Sequence, residues 1–134
     1  MGPRQHRILV VEDEAVIAML PVQTLVALGY PKPARAMSGS EALVRAAEHA
    51  PDLELLDVGL GNGIDGVETA RRLHELYDLG VVFLSAYSDP ETLARLQATK
   101  PHGILLKPVS TTDLARALEA AGAQLDAERQ LRLR

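Results

Sequence analysis

The sequence predicts an α/β fold built on a single parallel sheet, and three observations lead there. Short apolar, β-rich runs alternate five times with helix-like stretches. The runs are continuously apolar rather than alternating, which marks strands buried on both faces. The helix-like stretches carry start and stop signals at their ends: Gly29 behind the first, Asp89-Pro90-Glu91 and Ser110-x-x-Asp113 ahead of later ones. Right-handed crossovers then place helices on both sides of the sheet.

Taken in order, the first strand is Arg7 to Val11 and the first helix about Glu14 to Leu28. A short second strand, Ala34 to Met37, follows Pro31 and Pro33, and prolines so placed suit a sheet edge. Ser40 to His49 reads as the second helix, and Leu53 to Leu56 as the third strand, ending on Asp57. Gly66 to Leu76 is the third helix, with Val67, Ala70 and Leu73 at helical spacing. Val81 to Leu84 ends on Ser85, and Ile104 to Leu106 ends on Lys107-Pro108.

A chain of 134 residues forms one domain with a real core, here of Leu, Val, Ala and Ile, since aromatics are 3%. The absence of cysteine excludes disulfides and thiolate metal sites. A net charge of −4 and a pI near 5.5 argue against nucleic-acid binding by this chain. Ile8 to Val11 is too short for a signal peptide or membrane span, and His6 stands where a myristoylation signal needs Ser or Thr. The expected location is the cytoplasm.

In such sheets ligands bind beyond the carboxyl ends of the strands. Asp13, Asp57, Ser85 and Lys107 each follow a different strand, so they share one edge. Acids, a hydroxyl and an ammonium together suit phosphoryl chemistry. Glu12, Asp13 and Asp57 offer hard oxygen ligands for Mg²⁺. A carboxylate can also act as a nucleophile, forming an acyl phosphate. Lys107 and Ser85 would then supply positive charge and a donor to the phosphoryl oxygens. Singly, each residue has an ordinary reading: Asp57 as a cap, Glu12-Asp13 as first-turn acids, Lys107 as a solvated lysine.

The ordered set Val10-Val11-Glu12-Asp13-Glu14, Leu55-Leu56-Asp57, Asp65-Gly66, Phe83-Leu84-Ser85-Ala86 and Leu106-Lys107-Pro108 resembles the receiver domain of two-component response regulators over residues 6–122. The resemblance implies a flavodoxin-like, doubly wound, five-stranded parallel sheet of order 2-1-3-4-5 with five helices. It makes Asp57 the phosphoacceptor. Glu12, Asp13, Asp57 and the backbone carbonyl of Gly59 would hold Mg²⁺. Ser85 becomes the switch hydroxyl, Lys107 the partner of the phosphoryl group, and Lys107-Pro108 a cis peptide. The implied function is to accept a phosphoryl group from a histidine kinase or phosphotransfer protein and to change partner binding. Output would pass through the face of the fourth helix, fifth strand and fifth helix. A homodimer is compatible with this. The chain would be no enzyme beyond its own aspartyl phosphorylation and dephosphorylation. The alternative is a degenerate receiver that binds partners without phosphorylation. An aspartyl-nucleophile phosphatase fits less well, because Gly59 lacks the second acid such families use.

Four departures stand out. Ile104 replaces the aromatic switch residue of many receivers, and Tyr87 is the expected substitute. The loop Gly59 to Ile64 is glycine-rich, one residue longer than is usual in the family, and expected to be mobile without metal. Pro21 falls inside the first helix and should kink it. Glu54 places a carboxylate in an apolar strand, where it must pair, hold a proton or reach an edge. His6, His49, His74 and His102 show no ligand spacing and read as surface residues. Residues 123–134 read as a helical extension or the start of a linker. They are too short for an output domain, so the chain is either a stand-alone receiver or part of a longer regulator.

Overall fold

The computed structural model describes residues 5–60 and 65–133. Five strands, β1 (Ile8–Val11), β2 (Ala34–Ala36), β3 (Leu53–Asp57), β4 (Gly80–Ser85) and β5 (Gly103–Leu106), alternate with helices α1 (Ala15–Ala27), α2 (Gly39–His49), α3 (Gly66–Tyr77), α4 (Pro90–Ala98) and α5 (Thr111–Arg132). The strands form one parallel sheet in the order β2-β1-β3-β4-β5. The expected topology is therefore the observed one.

The period-two geometry of the strands divides the core into two layers. Ile8, Val10, Leu53, Leu55 and Val82 face α1 and α5, where Ala18, Leu25, Leu114, Leu118 and Leu125 meet them. Leu9, Val11, Leu56, Val81 and Phe83 face α2, α3 and α4, against Ala42, Ala46, Ala70, Leu73 and Leu96. Burying each large aliphatic side chain contributes about 1.5–3 kcal/mol. Local signals set the helix starts. Asp65, Asp89 and Ser110 accept from Glu68 N, Thr92 N and Asp113 N, at 2.8, 3.0 and 3.0 Å. Ser38, two residues before the expected start of α2, caps it by accepting from Glu41 N.

Pro21 lies inside helix α1, as its place in the sequence implies. Of the two readings of the C-terminal segment, a helical extension or the start of a linker, residues 123–132 follow the first: α5 continues through them, and Leu125 lies in the core. One expectation changes: not all four histidines are surface residues. His49 and His74 are exposed, but His6 is fully buried and the His102 side chain is 7% exposed. Both reach acids on the C-terminal half of α5, His6 to Asp126 at 2.9 Å and His102 to Glu128 at 3.1 Å. Arg129 adds an ion pair to Asp52, whose other oxygen accepts from Arg7 N, so the amino ends of β1, β3 and β5 are tied to one helix. Partnership with His102 and Arg132 holds the Glu128 carboxyl below its usual range despite the opposing effect of partial burial. The clue in the sequence was Gly122, a helix-interior glycine with no obvious need. A Cβ there would lie 2.8 Å from the His6 ring.

Candidate phosphoacceptor site

The site lies at the carboxyl edge of the sheet, and backbone hydrogen bonds carry its residues into place. Glu12 N donates to Ala36 O, Val58 N to Leu84 O, and Lys107 N to Ser85 O, at 3.0, 2.9 and 2.8 Å. These bonds extend the parallel ladder just past the last paired residues. Glu12, Asp57 and Ser85 are thereby held in fixed, buried positions rather than on free loops. Glycine at 66 lets α3 start against this edge, since a Cβ there would be 2.9 Å from Asp57 O.

Three acids and one cation converge. One carboxylate oxygen from each of Glu12, Asp13 and Asp57 lies within 4.8 Å of the others. Lys107 Nζ donates to Asp57 Oδ2 at 2.9 Å and lies 3.7 Å from Glu12 Oε1. Gly59 N donates to Asp57 Oδ1 at 2.9 Å. The Lys107–Pro108 peptide is cis. Ser85 Oγ accepts from Tyr87 N and donates to Tyr87 O, both at 2.9 Å. The Tyr87 ring is exposed. Of the expected site residues, Glu12, Asp13, Asp57, Gly59 and Lys107 come together, while Ser85 closes on its own loop. Of the glycine-rich loop, residues 61–64 lie outside those described.

Electrostatics follow from this crowding. Burial, with hydrogen bonds to Asp57 and Asp13, pushes the Glu12 carboxyl up to about 8. Burial acts against ionisation of Asp57 too. Hydrogen bonds from Glu12, Lys107 and Gly59 N more than offset it and hold Asp57 below the usual range. Lys107 is likewise partly desolvated, yet its acidic neighbours raise it. The result is an ionised Asp57 beside a charged lysine.

Hard oxygen donors that crowd together and repel one another fit Mg²⁺, which takes one or two carboxylates plus waters and phosphate oxygens. The fit rests on the donor set of Glu12, Asp13 and Asp57.

A doubly wound parallel sheet with an acid cluster and a lysine at its carboxyl edge defines a flavodoxin-like α/β domain built around an aspartate. The family model for the response regulator receiver domain matches residues 8–119. The chain is 34% identical over 116 residues to the transcriptional regulatory protein PdtaR of Mycobacterium tuberculosis, covering 87% of this chain and 56% of that protein. It is also 34% identical over 117 residues to the phosphate regulon regulator PhoB of Rhizobium meliloti, covering 85% and 51%. Among solved structures, the signal receiver domain of a modulated diguanylate cyclase from Desulfovibrio desulfuricans G20 superposes with a TM-score of 0.85 at 35% identity, covering 92% and 98%. The chain belongs to the response regulator receiver family of two-component signalling. It spans about half the length of the curated relatives it matches. Among the described residues, no helix is long and apolar enough to cross a membrane.

Proposed function

We propose that this chain is a working phosphoacceptor, with Asp57 as the residue phosphorylated. The observation that carries this reading is the ionised, buried Asp57 carboxylate with Lys107 Nζ 2.9 Å from one oxygen and two further acids beside it. A histidine-phosphorylated kinase or phosphotransfer protein is the donor. An Asp57 oxygen attacks phosphorus, the P–N bond to the donor imidazole breaks, and an acyl phosphate forms. Lys107 neutralises a phosphoryl oxygen. Glu12, Asp13, Asp57 and the Gly59 carbonyl would hold Mg²⁺, which supplies charge neutralisation to the transferring group.

In this reading Ser85 is the switch. Its hydroxyl, now closed on the Tyr87 backbone, would turn to the new phosphoryl oxygens and draw the Ser85–Tyr87 loop inward. Tyr87 would follow, changing the face of α4, β5 and α5 that a partner meets. Slow hydrolysis resets the protein, in the cytoplasm and without direct contact with nucleic acid by this chain. Intact-mass measurement with acetyl phosphate tests the core of this. One phosphoryl adduct that needs both Mg²⁺ and Asp57 is expected. If neither acetyl phosphate nor beryllofluoride binds in a Mg²⁺- and Asp57-dependent way, the phosphorylation-independent binding module becomes the better reading.

A further inference from the structure

A cleft of about 460 Å³ lies between α3 and α4, over the start of β4. It sits at the amino half of the sheet, away from Asp57 and its neighbours at the carboxyl edge. Its floor is apolar: Ala70, Leu79 and Val81 are buried, with Val67 packed beside them. The side chains that could close it are alanines, Ala70 on α3 and Ala98 on α4. A volume of this size falls within the roughly 300–1,000 Å³ of small-molecule sites, which combine an apolar lining with a few placed polar groups.

The charges around this floor are mostly positive. Arg71, Arg95 and Lys100 line the cleft, against one acid, Glu75. Arg71 is already answered, since its guanidinium donates to Glu75 at 2.7 Å and to Glu68 at 3.0 Å. The other two cations are not. Arg95 has Asp65 at 3.5 Å, in a pair exposed on both sides, and such pairs contribute at most about 1 kcal/mol. Lys100 has no acidic partner among the described residues. The left-handed turn that ends α4 (φ 54°) fixes its backbone beside the cleft. The carbonyls of that helix end do not cancel these charges: Leu96 O accepts from Thr99 N and Oγ1, and Gln97 O from Lys100 N.

Two uncommitted cations over an apolar floor, in a chain of net charge −4, define what fits. Two positive charges match a dianion. A phosphate monoester carries about −1.5 to −2 at pH 7, where a carboxylate carries a single charge. Arginine binds phosphate through two parallel bonds, and lysine adds a point charge. The apolar floor calls for an organic body on the same ligand, because inorganic phosphate alone would leave it bare. We propose that the α3/α4 cleft binds a small organic phosphate of nucleoside monophosphate size, its phosphate on Arg95 and Lys100 and its body on Val67, Ala70, Leu79 and Val81. This site stands apart from the phosphoacceptor reading and needs neither Asp57 nor a metal.

Amide chemical-shift mapping tests it, on the full chain titrated with adenosine monophosphate in the absence of Mg²⁺, so that no metal draws the probe to Asp57. Shifts should gather at residues 67–75, Val81 and residues 95–102, and saturate with a dissociation constant on the order of 0.1–1 mM. Lys100→Glu and, separately, Arg95→Glu should weaken binding about tenfold or more, the loss of one charge-assisted bond. Both residues are exposed, and the amide spectrum of each variant shows directly that the fold is kept. Lys32→Glu makes the same change of net charge at an exposed position before β2 and should leave binding as it was. Ala98→Leu keeps both cations but fills the cleft, and should weaken binding as well. Adenosine and inorganic phosphate, each lacking one half of the ligand, should bind at least about tenfold more weakly than the nucleotide. The proposal is overturned if about 10 mM nucleotide, well past the expected constant, shifts no amide of the cleft. It is also overturned if Lys100→Glu leaves the shifts unchanged, or if adenosine or inorganic phosphate binds as tightly as the nucleotide.

Discussion

Lys107 Nζ lies 2.9 Å from Asp57 Oδ2 and 3.7 Å from Glu12 Oε1, so one ammonium faces two acidic side chains at once. The bond from Lys107 N to Ser85 O fixes the backbone from which the side chain reaches, and Asp57 and Glu12 hold its ammonium end. An ammonium so fixed is aimed at the place where phosphoryl charge develops. Replacing it with alanine removes one preorganised electrostatic partner, a loss that costs roughly 10²-fold in rate at comparable sites. Lys107→Ala should therefore slow adduct formation from acetyl phosphate by about that factor. The initial rate of mass gain at fixed Mg²⁺ measures it. A variant labelled at the wild-type rate would remove Lys107 from the chemistry.

The acid cluster makes a separate prediction about metal. A ligand that binds only the folded chain stabilises it by about 1.4 kcal/mol at ten times its dissociation constant. For a domain of this size that is a rise in Tm of roughly 5 °C. Mg²⁺ titrated into the protein should give such a rise. Asp13→Asn, which takes one carboxylate from the set of three, should abolish most of it. Equal rises in the two proteins would show that the cation acts elsewhere.

Much of this was legible in the sequence because local signals and tertiary position agree. Strand-end polar residues at Asp57, Ser85 and Lys107 fall on one edge in any parallel sheet, and Asp89 and Ser110 announce their helices. What the sequence hid were contacts between distant segments. His6 and Asp126 are 120 residues apart, and no periodicity links them. Glu54 is a second case. The sequence left its fate open between a partner, a proton and an edge, since only packing decides that. The state of Ser85, closed on the Tyr87 backbone, is a third, because hydroxyl orientation depends on loop geometry.

Glu54 is completely buried in the central strand, and neither carboxylate oxygen has a hydrogen-bond partner among the described residues. Burial raises its pKa well above the ordinary 4.5, so the folded chain holds the proton while the unfolded chain releases it near that value. Glu54 thus favours folding fully only at low pH. Its contribution falls as pH rises above about 4.5, by up to about 1.4 kcal/mol per unit, until the folded pKa is reached. Glu54→Leu should stabilise the protein, and by at least 1–2 kcal/mol more at pH 8 than at pH 5. Urea unfolding at the two values reads the difference. Equal gains at both would mean that the carboxyl titrates normally and has found water or a partner.

Gly122 and His6 provide the last test. In an isolated helix Gly→Ala is favourable by about 0.5–1 kcal/mol. Here the added Cβ would sit 2.8 Å from His6 Cε1 and Nδ1, and that ring is fully buried and bonded to Asp126. The ring cannot move aside without losing both packing and its partner, and such overpacking costs roughly 1–3 kcal/mol. Steric conflict should therefore outweigh propensity, and Gly122→Ala should destabilise the domain. In a His6→Ala background the conflict is gone, and the same substitution should become neutral or stabilising. A double-mutant cycle from urea unfolding should give a coupling of about 1 kcal/mol or more. A simple gain from Gly122→Ala in the otherwise native chain would show that the C-terminal half of α5 is not clamped on His6.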